Sequence, residues 1–318
     1  MEAVEKNLEQ IAVPQVSKFE SMKRHFQKNW QLYVMLIPAV LYFIIFNYLP
    51  MYGVQIAFKD YLVSKGILGS EWVGFKHFER FFSSFYFPRL MKNTLLLSFY
   101  NLATFPLPII FALSLNQLRD GRFKKWTQTL TYAPHFISVV VLVGMLTAFL
   151  DPETGLINHV IELFGGEPID FMNSPEWFRH LYVWSGVWQN LGWNSIIYIA
   201  ALAGVNPELH EAAKVDGATK FQRVLNVDLP SIFPTIVVMF LLTIGRFMST
   251  GYEKALLMQT TLNSATSDII QTYVYEVGLL EGQYSFASAV GLFEGVINVV
   301  LIVTANWLTK KITENSLW

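Results

Sequence analysis

Six apolar runs constrain this chain more than any other feature. A bilayer's hydrocarbon layer is roughly 30 Å deep, so a helix needs about 20 residues to cross it, and every backbone amide inside must find its partner within the same helix. The stretches 30–58, 93–115, 130–150, 181–203, 231–247 and 286–308 meet that demand. The fifth is the weakest, being short and bounded by Pro234 and Arg246. With 53% of 318 residues hydrophobic and only 15% charged, the chain carries more apolar surface than one soluble core would need. The expectation is an all-α integral membrane protein with about six transmembrane helices. A polar tail at 1–29 precedes a membrane domain at 30–309, and a short tail at 310–318 follows. The first run begins after a polar, mixed-charge stretch and lacks the short core and small-residue cleavage site of a secretion signal, so it reads as a span.

Lysine and arginine orient the spans. Fourteen of them fall in the tail, the 119–125 and 214–223 segments and Lys310 with Lys311, whereas the alternate loops hold eight. The positive-inside bias therefore places both termini of a multi-pass membrane protein in the cytoplasm. The net charge of -1 hides this segregation and gives no reason to expect a nucleic-acid partner. The external loop 151–179 contains Gly165, Gly166, Pro168 and Pro175, which predicts a short helix and turns, not a folded domain.

The polar segment 206–230 between spans four and five is too patterned for a plain linker. Asn206 suits an N-cap and Pro207 the first helical position. Glu208 and Glu211 favour the positive end of the helix dipole, and Gly217 can take the left-handed stop. Thr219 can open a second short helix with Phe221, Val224 and Leu225 on one stripe, ended by Leu229-Pro230. The result is a bent cytoplasmic hairpin.

Glu211-Ala212-Ala213, Asp216-Gly217-Ala218, Phe221, Leu229-Pro230 and Pro234 fall at a spacing that resembles the cytoplasmic signature of permeases in maltose-type, binding-protein-dependent ABC importers. The resemblance implies a type I importer permease fold in which 206–230 is the coupling hairpin. There Glu211, Ala212, Ala213, Asp216, Gly217 and Ala218 would meet a separate ATPase subunit. It also implies the remaining partners: a second permease, two ATPase subunits that bind ATP and Mg²⁺, and an extracytoplasmic solute-binding protein. Residues Tyr48 to Tyr61 and Glu314-Asn315-Ser316-Leu317-Trp318 resemble the branch that imports complex oligosaccharides, with an alginate-type importer as the member most resembled. Trp72 to Phe78 is similar to the family's approach to its second span, where a lip would meet the binding protein.

Sugars are held by aromatic faces together with amides and charges. In the fourth span Trp184, Trp188, Gln189, Asn190, Trp193, Asn194 and Tyr198 crowd one segment, with an interfacial aromatic belt as the alternative role of its aromatics. Ionisable groups inside spans usually face a cavity or partner, which singles out Arg246 and Glu294. Arg246 suits the carboxylate of an acidic sugar or, equally, a snorkelling position; Glu294, between Gly291 and Gly295, suits the pathway or an interhelical hydrogen bond. A neutral oligosaccharide or another small solute remains the alternative cargo.

No Gly-x-x-x-x-Gly-Lys-Ser/Thr loop, His-Glu-x-x-His pattern or Gly-x-Ser-x-Gly elbow is present, and there is no cysteine. No catalytic or metal site is expected, and nucleotide chemistry falls to another chain. A membrane-embedded polysaccharide enzyme would need poised carboxylates, but Asp151 and Glu153 flank a proline in a turn. A secondary transporter would show two matching halves, and none is evident.

Overall fold

The computed structural model of the chain describes residues 18–249, 251–313 and 316. The tail before Lys18 and, apart from Ser316, the terminal pentapeptide 314–318 lie outside the described residues. Residues Met1–Gln55 form one compact unit and Ile56–Trp318 a second. In the first unit helix α1 runs over Lys18–Phe43, with a break at Asn29, and passes into a π-helical turn at Ile44–Tyr48. Pro50 explains that turn: its nitrogen cannot donate to the carbonyl of Phe46, so the helix widens there.

The second unit opens with a small antiparallel ribbon that pairs Lys59 with Trp72 and Asp60 with Glu71. It is clamped from the side: Lys76 Nζ lies 2.6 Å and His77 Nε2 3.0 Å from the Asp60 carboxylate. The hydrogen bond from Lys76, reinforced by its charge and that of His77, holds the Asp60 carboxyl below the usual range.

The second span comprises α2 (Phe87–Ala103) and α3 (Pro106–Asn116), joined by a tight turn where Pro106 withholds its amide. The expected continuous span 130–150 takes a different form. Helices α4 (Arg122–Tyr132) and α5 (Val139–Leu150) meet through a 3-10 turn at Ala133–Phe136 and bend by 101°. Pro134 breaks the first helix, and Ser138 restarts the second by accepting a hydrogen bond from the Val141 amide. In the loop that follows, the sequence expectation of a short helix corresponds to Leu156–Leu163.

Helix α6 (Pro175–Ala203) is the structural centre of the unit. It packs on α3, on α4 and on the helix that follows the hairpin. Phe178, Tyr182 and Val183 join Leu97, Val143, Ala255, Met258 and Ile269 in one buried cluster, and Tyr198 and Leu202 join Ile109, Ala112 and Ile232 in another. Gly192 permits the approach to α4, because a Cβ there would lie 2.3 Å from the Thr131 carbonyl oxygen.

After the hairpin, Lys220–Arg223, a π turn at Val224–Asp228 and α8 (Leu229–Ile244) form one continuous helix. The sequence expectation of a break at Leu229-Pro230 is thus corrected. The π turn absorbs the amide that Pro230 lacks, so the chain runs unbroken into the fifth span. Between spans five and six lie α9 (Tyr252–Met258), a helix at Ile270–Tyr275 and a π turn at Glu276–Leu280, before α10 (Tyr284–Thr313).

Among the described residues four helices are long and apolar enough to cross a membrane, or five if the bent pair is one span. The remaining expected span is α6, whose 29 residues reach about 44 Å at 1.5 Å per residue. Its tryptophans, amides and serines hold its hydropathy below that of the other spans.

Candidate functional site

The hairpin folds as its local signals dictate. Helix α7 (Pro207–Val215) is capped by Asn206, whose Oδ1 accepts from the Glu208 amide at 3.0 Å. It ends where Gly217 adopts φ +77° and the Ala218 amide donates back to Ala213 O at 2.9 Å. Thr219 and Gln222 then cap each other reciprocally to start the next turn. Val215 and Phe221 are exposed around this bend, and no residue of α7 is buried.

Two cavities adjoin within the helices of the second unit. The first, about 400 Å³, is lined by Asn101, Thr104, Gln189, Asn190, Asn194, Tyr198 and Lys254 among others. The second, about 500 Å³, is lined by Ser98, Ser249, Phe247 and Arg246, and shares Asn101, Met239 and Thr243 with the first. Among the described residues no Asp or Glu lines either one. Lys254 is nearly buried: its Nζ donates to the Tyr182 carbonyl at 2.6 Å and lies 4.6 Å from the centre of the Tyr182 ring. Among the described residues it makes no ion pair. A third cavity of about 500 Å³ is lined by Tyr252, Gln271, Tyr275, Tyr284 and Glu294.

The match to known proteins follows this frame. Residues 104–314 match the family described as the binding-protein-dependent transport system inner membrane component. The chain belongs to that family. Over 307 residues it is 45% identical to the polygalacturonan/rhamnogalacturonan transport system permease protein YteP of Bacillus subtilis strain 168, covering 95% of this chain and 96% of that one. It is also similar to a chain in the crystal structure of a bacterial ABC transporter involved in the import of the acidic polysaccharide alginate, with TM-score 0.85 and 39% identity. That likeness covers 92% of this chain and 100% of the other. A second structure of equal similarity contains an alginate pentasaccharide-bound periplasmic protein. The chain is therefore an oligosaccharide ABC importer permease with the type I permease fold, a transport subunit and not an enzyme.

Within this permease the candidate pathway residues separate into groups. Gln189, Asn190, Asn194 and Tyr198 line the first cavity and Arg246 the second. Trp184, Trp188 and Trp193 line none of these cavities. Trp184 Nε1 donates to Tyr100 Oη at 2.9 Å, and Trp193 stacks on His135 at 4.2 Å between ring centres. Gln189 and Asn190 also brace the bend, through Ile137 O at 2.7 Å and His135 Nδ1 at 2.9 Å. Arg246 lies in the turn just beyond α8, not within the helix. Glu294 accepts from Gln271 Nε2 at 2.9 Å and Ser249 Oγ at 3.1 Å, so it ties α10 to two neighbouring segments while it faces the third cavity. Sequence reading passed over Lys254, because its cationic side chain belongs to a segment that reads as an external loop. Asp151, a residue of the discarded enzyme reading, is committed to its own turn. It accepts from the Glu153 amide and from the Thr154 amide and hydroxyl, which lower its carboxyl pKa.

Proposed function

We propose that this permease moves an acidic, uronate-containing oligosaccharide into the cell by alternating access. In this reading an extracytoplasmic binding protein delivers the sugar, and a second, similar permease completes the pathway. Two ATPase subunits hold ATP and Mg²⁺ and meet the hairpin around Glu211, Ala212, Ala213, Asp216, Gly217 and Ala218. The basic loops on one side support cytoplasmic termini and a cytoplasmic hairpin.

The observation that carries the acidic reading is the pairing of Arg246 and Lys254 across two adjoining cavities that no carboxylate lines. Cations that no carboxylate neutralises among the described residues favour an anionic cargo, and Tyr198 with the amides of Asn101, Asn190 and Asn194 supplies contacts for ring faces and hydroxyls. The named substrates of the polygalacturonan/rhamnogalacturonan permease and the alginate transporter support the same class. The amides and the tyrosine would equally suit a neutral oligosaccharide, which is the second reading.

The test is uptake into proteoliposomes bearing the complete importer, comparing an oligouronate with its carboxyl-reduced, neutral counterpart of equal length. The acidic reading predicts that carboxyl reduction lowers uptake about tenfold or more, the scale of one or two lost charge-assisted hydrogen bonds. Equal uptake of both would favour the neutral reading.

A further inference from the structure

The hairpin is tied to the membrane helices by one buried carboxylate. Asp228 closes the π turn at the start of the fifth span and is fully buried. Its Oδ2 accepts from Gln117 Nε2 at 3.0 Å, and Gln117 caps α3 at the end of the second span. Its Oδ1 lies 3.1 Å from Nε2 of His210, which belongs to α7. That contact is near enough for an ion pair but off the line of a hydrogen bond, so among the described residues Oδ1 is buried without a hydrogen-bond donor.

Three elements that follow different paths through the sequence therefore converge on one side chain. The π turn contributes to this: one extra residue in a turn rotates the following register by about 100°, which changes the direction in which Asp228 points. A buried carboxylate oxygen without a donor is costly, and a small rotation of α7 would bring His210 Nε2 onto the missing line.

We propose that Asp228 is a transmission pin, through which movement of α7 reaches spans two and five together, His210 being its contact on the hairpin and Gln117 its contact on span two. The Oδ1–His210 hydrogen bond closes in one transport state and opens in the other, which gives the pin two arrangements. All three are positioning residues. The inference rests on the reading of α7 as the helix that meets the ATPase.

The test uses the absence of native cysteine in the chain. Thr243, which lines both cavities, is replaced by cysteine as a reporter in the assembled importer. Its alkylation rate by a membrane-impermeant maleimide is measured with and without vanadate-trapped nucleotide. In the reporter parent, trapping is expected to change the rate by about tenfold. Asp228→Asn and His210→Ala should each cut that change to about threefold while ATP is still hydrolysed, and the double variant should be no worse than either single one. His210→Gln, which keeps a donor, should restore part of the response. A full nucleotide response in His210→Ala overturns the pin even if Asp228→Asn fails to assemble. Additive losses in the double variant would also overturn it. A parent that ignores nucleotide removes the alternating-access reading, and the pin falls with it because nothing is then transmitted.

Discussion

Lys254 is the residue on which the substrate reading turns most sharply. Its charge is nearly buried against a helix carbonyl and an aromatic face, at the wall of a cavity that no carboxylate lines. Lys254→Gln keeps a donor and removes the charge. It should raise the half-saturating oligouronate concentration about tenfold while leaving a carboxyl-reduced oligosaccharide within about twofold. Uptake assays on the two probes decide it; equal effects on both would mean that the lysine only supports packing. Asp60 gives a prediction of a different kind. Because its folded pKa is depressed by Lys76 and His77, its contribution to the two-stranded ribbon is complete above about pH 4 and lost as pH falls through the lowered folded value. Hydrogen exchange at the Val73 and Gly74 amides, which bond to Phe58 O, should show this after correction for intrinsic rates. Asp60→Asn should bring the faster exchange to neutral pH, and unchanged exchange in the variant would contradict the clamp. Of these residues Arg246 was legible in the sequence, because an ionisable group at a span end stands out. Lys254 was not, because its burial is created by contact with Tyr182, 72 positions away.

At the scale of elements, local signals were readable and long-range ones were not. The α7 hairpin follows from Asn206, Pro207, Gly217 and Thr219, all of which act within a turn of where they stand. The 101° bend between α4 and α5 was missed because the run 130–150 is apolar on both sides of Pro134, and hydropathy does not register direction. The same limit applies to α6. The sequence marked it as polar and aromatic, yet Gln189, Asn190 and Trp193 brace the bend through His135 and Ile137, which only the fold brings near. That brace needs close backbone approach at Gly192. Alanine there gains about 1 kcal/mol of helix propensity. Against it stands an overpacking cost of about 1–3 kcal/mol or more, because the opposing atom is a carbonyl oxygen of α4 that has no side-chain torsion to yield. Gly192→Ala should therefore lower the thermal midpoint of the detergent-solubilised protein, and an unchanged or raised midpoint would show that α4 moves freely.

For the whole molecule, the importer class was legible because a membrane protein advertises its solvent in its spans and the 206–230 hairpin carries residues at a spacing that resembles the family's signature. The cargo was less legible, since it depends on the walls of cavities assembled from several helices. Arg246 and Lys254 come from the fifth-span turn and α9, on either side of a short loop, and share their cavities with Asn101 from α2. The most direct measurement is ATP hydrolysis by the reconstituted importer with its binding protein, as single oligosaccharides are added from a panel of neutral and uronate oligomers. The account predicts that uronate oligomers stimulate hydrolysis and that Arg246→Gln with Lys254→Gln removes the stimulation but leaves basal hydrolysis. Stimulation by neutral oligomers alone would contradict it.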